Sequence, residues 1–119
     1  MNFIFHEQKG EKIAELAAGE IDIRGVEEAV DILGNIDYLG ASKIVSYKEN
    51  FSDNFFDLKT GVAGDILQKF SNYRKKLAIV GDFSEIESKS LRDFIRESNR
   101  TGHILFVESF KEALVRFSH

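Results

Sequence analysis

Cysteine, proline and tryptophan are all missing from these 119 residues, and methionine occurs once. Without cysteine there is no disulfide, no thiol nucleophile and no cysteine-ligated zinc or iron–sulfur site. Long apolar runs are missing too: the longest are a few residues, far short of the ~20 that a membrane-spanning helix needs. The opening Met1-Asn2-Phe3-Ile4-Phe5-His6 has no basic segment leading into an apolar one, so no export signal is expected and a cytoplasmic location is. Sixteen basic against twenty acidic residues give a net charge of −4, which supplies no general pull toward nucleic acid or an anionic membrane.

What is present reads as globular. The chain is 43% hydrophobic and 30% charged, with no repeat, low-complexity tract or linker. Its length suits one domain, residues 1–119. Area scaling gives roughly 6,500 Å² of folded surface against roughly 19,600 Å² for the extended chain, enough burial for a core without staples.

Hydrophobic periodicity assigns the elements. Asn2 to Glu7 and Lys12 to Ala17 read as two strands around a polar turn containing Gly10, a hairpin. Val26, Ala29, Val30, Leu33 and Tyr38 recur at helical spacing, with Glu27 and Glu28 early and Gly40 as the stop. Lys43 to Tyr47 is a strand, and Lys48 to Ser52 a polar loop. Val62, Ile66, Leu67, Phe70 and Tyr73 make the next helical stripe, with Arg74-Lys75-Lys76 at its end. Leu77 to Val80, apolar on both sides, reads as an interior strand. Leu91, Phe94 and Ile95 mark a helix after Ser88 that ends near Asn99, and Ile104 to Val107 is the last strand. Ser109 and Glu112 have capping-box spacing ahead of a closing helix through Phe110, Ala113, Leu114 and Phe117. The order β-β-α-β-α-β-α-β-α predicts an α/β fold. Its five-stranded mixed sheet should be mostly parallel with right-handed crossovers, and the N-terminal hairpin should supply the antiparallel edge.

Three blocks carry a resemblance. Phe55-Phe56-Asp57-Leu58-Lys59-Thr60-Gly61-Val62-Ala63-Gly64-Asp65 running on to Arg74, then Leu77 to Ser84, then Glu87 to Ile95, resemble the bacterial family known as domain of unknown function 4180 (DUF4180). That likeness extends over nearly the whole chain and brings no established activity. More distantly, the element order is similar to the STAS domains, the anti-sigma-factor-antagonist fold. Their switch is a serine-glycine loop opening the helix after the third strand, where this chain has Asp57-Leu58-Lys59-Thr60-Gly61-Val62.

Several constellations are candidates for chemistry. Small residues in Lys59-Thr60-Gly61-Val62-Ala63-Gly64 leave N–H groups open at a helix start, where an anion is favoured, or where a phosphorylated Thr60 would alter a docking surface. The lysine precedes the glycines, so this is not a nucleotide P-loop. The ordinary alternative is that Gly61 and Gly64 let the helix approach a neighbour closely. Glu49, Asp82 and Glu108 follow three successive strands and are candidates to converge on a cation such as Mg²⁺ or to do acid–base work. His6, His103 and His119 have no metal-ligand spacing, and no G-x-S-x-G turn exists. Lys89, Arg92, Arg96 and Arg100 line one helix face, either a ridge for phosphates or a solvated surface. Phe51, Phe55, Phe56 and Phe83 fall in loops or helix starts along one edge, as core plugs or as an interface.

Together these features point to a small regulatory or protein-interaction module, STAS-like and without catalysis of its own. It is expected to need no cofactor and to bind a protein partner, a second copy or a small anion through Phe55, Phe56, Lys59, Thr60, Gly61, Asp82 and Phe83. The alternatives are a small Mg-dependent or acid–base enzyme using Glu49, Asp82 and Glu108, and nucleic-acid binding through the basic helix face. The expected surface requires residues 55–61 and 82–83 to share a rim.

Overall fold

A computed structural model of the chain describes residues 2–118. Strands β1 (Phe3–Gln8) and β2 (Glu11–Leu16) form the hairpin. There follow α1 (Val26–Tyr38), β3 (Lys43–Tyr47), three short 3₁₀ turns, α2 (Val62–Asn72), β4 (Lys76–Val80), α3 (Lys89–Thr101), β5 (Ile104–Val107) and α4 (Phe110–Phe117). The strands lie in the sheet in chain order, β1-β2-β3-β4-β5, with β1 antiparallel to β2 and every later pair parallel. The expected α/β fold with a mostly parallel five-stranded sheet is therefore what the chain forms. Its accessible surface is 6881 Å², near the roughly 6,500 Å² that chain length implies.

Chain-order stepping decides where the helices go. Each right-handed crossover advances one strand in the same direction, so α1, α2 and α3 fall on one face. The larger core cluster lies there, with Ile32, Leu33, Ile36, Ile66 and Phe70 against Ala14, Leu16, Ile44, Leu77, Ile79 and Phe106. Only α4, arriving after the last strand, covers the other face, packing Ala113 and Phe117 on Ile13, Val45, Ala78, Leu105 and Val107. Three helices against one leave that second face partly open around β1 and β2.

Local chemistry sets the boundaries. The β1–β2 turn is Lys9-Gly10, both with positive φ (53° and 78°), the conformation that a two-residue hairpin requires. Gly40, at φ 84°, ends α1 in a Schellman arrangement in which Ala41 N–H bonds the Ile36 carbonyl. The Ser88 and Ser109 hydroxyls accept from Leu91 and Glu112 N–H at the starts of α3 and α4. The Glu112 carboxylate reaches back to Glu108 N–H, one residue earlier than a regular capping box would place it.

Two expectations are corrected. Tyr38 does not belong to the buried stripe of α1: it is 90% exposed, and Ile32 and Ile36 take its place. Two residues past Ile36 is a rotation of about 200° around the helix, onto the solvent side. The segment 48–52 is not a simple polar loop either. Asn50 is fully buried; its amide donates to the Ala17 and Ile21 carbonyls, and its oxygen accepts from Tyr47 N–H. These bonds fasten the irregular 17–23 segment to the end of β3. There Ile23 pairs with Phe51, and Ile21 and Ile23 are buried.

Candidate functional site

The carboxyl ends of β3 and β4 bring residues 55–61 and 82–83 onto one rim. The rings of Phe56 and Phe83 lie 6.3 Å apart, and Lys48 Nζ stands 5.8 Å from the first ring centroid and 5.5 Å from the second. Lys48 also donates to the Asp82 carbonyl. Gly81 passes close beneath this arrangement: a Cβ added there would lie only 2.8 Å from Lys48 Cβ. Beside the rim is a cleft of about 520 Å³ lined by Phe56, Asp57, Leu58, Lys59, Ser88 and Ser90. A shallower hollow on the other side of Phe56 is lined by Lys48, Glu49, Phe51 and Asp53.

The four edge phenylalanines divide. Phe51 and Phe55 are buried, stacked 4.4 Å apart, and plug the core. Phe56 and Phe83 are half-buried and continue the aromatic chain inward, Phe83 meeting Phe106 edge-on at 5.3 Å. Phe55, 1% exposed, therefore supports Phe56 from beneath and presents nothing to a partner itself.

At the start of α2 the polar groups are mostly spent locally. Thr60 Oγ1 donates toward the Asn54 and Asp57 carbonyls and accepts from Val62 N–H. The Lys59, Thr60 and Gly61 N–H groups bond Asp57 Oδ1, the Asp57 carbonyl and the Leu58 carbonyl. Few donors remain for an anion. Gly61 is needed for its left-handed φ of 76°, and neither Gly61 nor Gly64 has a neighbour within 4 Å of an added Cβ, so close helix approach does not explain the pair.

The three strand-end carboxylates make no metal site. Among the described residues no group of three or more His, Cys, Asp or Glu is placed to hold a metal ion, so Glu49, Asp82 and Glu108 form no such cluster. Asp82 is turned inward on its own loop: the Ser84 hydroxyl and N–H both bond Oδ1, and the hydroxyl leads in holding the carboxyl below its ordinary range. The basic side chains of α3 are each engaged locally, against only two carboxylates. Lys89 and Arg96 pair with Asp93, Arg100 pairs with Glu97, and Arg92 donates to the Ile86 and Glu87 carbonyls.

One constellation escaped the sequence. On the open side of the sheet, His6 Nε2 and Glu15 Oε1 lie 2.8 Å apart, the Tyr47 hydroxyl donates to Glu15 Oε2, and the His6 ring packs 4.7 Å from Phe110. Burial first, then the Glu15 carboxylate, pushes the Tyr47 phenol up to about 12. The chain links β1, β2 and β3 side to side. Only the hairpin register, with His6 opposite Ile13 and Ile4 opposite Glu15, places these residues on one face. His103 is exposed, and His119 lies outside the described residues.

Among the described residues no helix is long and apolar enough to cross a membrane. A family model described as domain of unknown function (DUF4180) matches residues 8–117. No curated protein and no solved structure matches the chain.

Proposed function

The chain belongs to the DUF4180 family, whose description carries no activity, and from that premise we propose that it is a small cytoplasmic regulatory module, STAS-like, that binds a protein partner and performs no chemistry of its own. The supporting observation is the half-buried Phe56–Phe83 pair under Lys48, set at the carboxyl edge of the parallel strands where open α/β sheets receive ligands. Aromatic anchors beside a cleft are the usual centres of protein recognition. The partner offers an apolar side chain to the cleft at Leu58 and a basic one to Glu49 and Asp53 on the far side of Phe56.

Affinity capture from the source cell, followed by titration with the purified captured protein, tests this reading. Phe56→Ser and Phe83→Ser should each weaken binding at least about tenfold, the loss of roughly 1.4 kcal/mol expected when an anchor is truncated. Unchanged binding by both folded variants overturns the rim as the docking surface. Thr60→Glu compared with Thr60→Ala separates a phosphorylation switch from plain docking, because both variants lose the Thr60 hydroxyl bonds and only the first adds charge at the α2 start.

A further inference from the structure

The two edges of the sheet are treated differently. At β5 the outward N–H and C=O of Phe106 are both taken by the Asn99 side chain, at 2.7 and 3.2 Å. That amide occupies the place of a neighbouring strand and closes the edge. At β1 nothing comparable is present among the described residues. The Lys9-Gly10 turn makes Gln8 and Glu11 the first bonded pair, and Ser42 N–H bonds the Lys12 carbonyl on the far side of β2. By alternation Phe3, Phe5 and Glu7 direct their backbone groups outward from the sheet. Exposed large apolar side chains gather at this same edge: Ile4 (52%) and Phe5 (39%) lie on β1 itself. Leu39 adjoins Phe5 through Lys12, whose ammonium sits over the Phe5 ring and donates to the Leu39 carbonyl.

The net charge around this edge also differs between its two ends. Beside Asn2, where β1 begins, a cleft is lined by Glu20, Asp22, Glu28 and Asp31. At the opposite end the hairpin turn carries Lys9, whose ammonium donates to the Ser118 carbonyl, and its flank Lys12, neither in an ion pair among the described residues, with Glu7 beside them and Glu11 paired to Lys43. A parallel neighbour would set acid on acid and lysine on lysine. An antiparallel copy of the same strand sets each lysine end against an acidic end.

We propose that β1 is the dimerisation edge of this protein, pairing antiparallel with β1 of a second copy about a two-fold axis at Phe5, so that the two sheets become one of ten strands. Centring on Phe5 uses every outward residue: Phe5 meets Phe5, and Phe3 meets Glu7 twice, for about six backbone hydrogen bonds. Ile4 then lies beside His6 of the second copy, and Gln8 beside its Asn2. That brings Lys9, once released from the Ser118 carbonyl, toward the four-carboxylate cleft. Both contacts are isologous, as a closed dimer requires. A ribbon six residues long falls below about 1,200 Å² of buried area, which puts the expected dissociation constant at about 1–100 μM. The surface is separate from the Phe56–Phe83 rim, so the two proposals stand or fall independently.

Sedimentation equilibrium of the full chain tests it. The expected result is a monomer–dimer equilibrium that weakens as salt is added. Phe5→Pro deletes an outward donor that the monomer does not use, and Phe5→Lys adds a charge at the axis. Each should weaken the dimer at least about tenfold while the circular dichroism of the monomer is unchanged. Should either variant fail to fold, the surface charge reversals Lys9→Glu and Glu20→Lys decide the matter, each alone weakening association and the two together restoring it. A protein that stays monomeric at about 1 mM, well above the expected range, overturns the proposal. So does a dimer that ignores these substitutions and is lost instead on Phe56→Ser or Phe83→Ser.

Discussion

Asn50 and Tyr47 hold the carboxyl end of β3 by different means. The Asn50 amide satisfies three backbone groups from two segments while being fully buried. Asn50→Ala leaves those groups without partners, and a loss of about 2–3 kcal/mol in denaturant unfolding is expected, on the scale of buried polar groups stripped of their bonds. Tyr47 works through its proton. Its phenol rises from 10.0 to about 12 because burial and the Glu15 carboxylate both disfavour the phenolate. A folded pKa above the unfolded one means stability that is complete below pH 10 and drains away between pH 10 and about 12. Ultraviolet titration should therefore show one tyrosine ionising near pH 12, and Tyr47→Phe should remove that component. Neither role was legible beforehand. An asparagine between two strands reads as loop polarity, and a tyrosine at a strand end reads as β-propensity, until the chain is folded around them.

Elements with a steady period were the easiest to read. β4 looked apolar on both sides and is buried on both, and the stop at Gly40 carries the left-handed backbone that such a stop needs. The stripe of α1 slipped at its end, because Tyr38 continues the composition of the helix but not its rotation. The connection after β4 depends on a contact that no local pattern contains. Gly81 faces Lys48 across the sheet, with room for a hydrogen and none for a methyl group. Gly81→Ala should cost about 1–3 kcal/mol, as other overpacked sites do. It should also shift the ring resonances of Phe56 and Phe83 by moving Lys48 off them. Unaltered spectra would mean that the Lys48 stem yields without disturbing the rim.

At the scale of the molecule, the one-way order of the strands matters most. It gathers three helices on one face, leaves the other to α4, and makes β1 and β5 the two sheet edges. Asn99→Ala should strip the cover from β5, costing about 1–3 kcal/mol for the unpaired Phe106 groups. Static light scattering should then rise with concentration, as an uncovered edge seeks a strand. The sequence by itself determined the kinds of element, their order, the antiparallel start and the meeting of residues 55–61 with 82–83. Each of these follows from period, turn chemistry and the handedness of crossovers, which are local or nearly so. Tertiary structure alone decided that Phe55 faces inward and Phe56 outward, that Glu49, Asp82 and Glu108 form no metal cluster, and that His6 finds Glu15 and Tyr47. Those outcomes depend on register and on the angle at which each loop leaves the sheet. Both are set by packing between residues far apart in the chain.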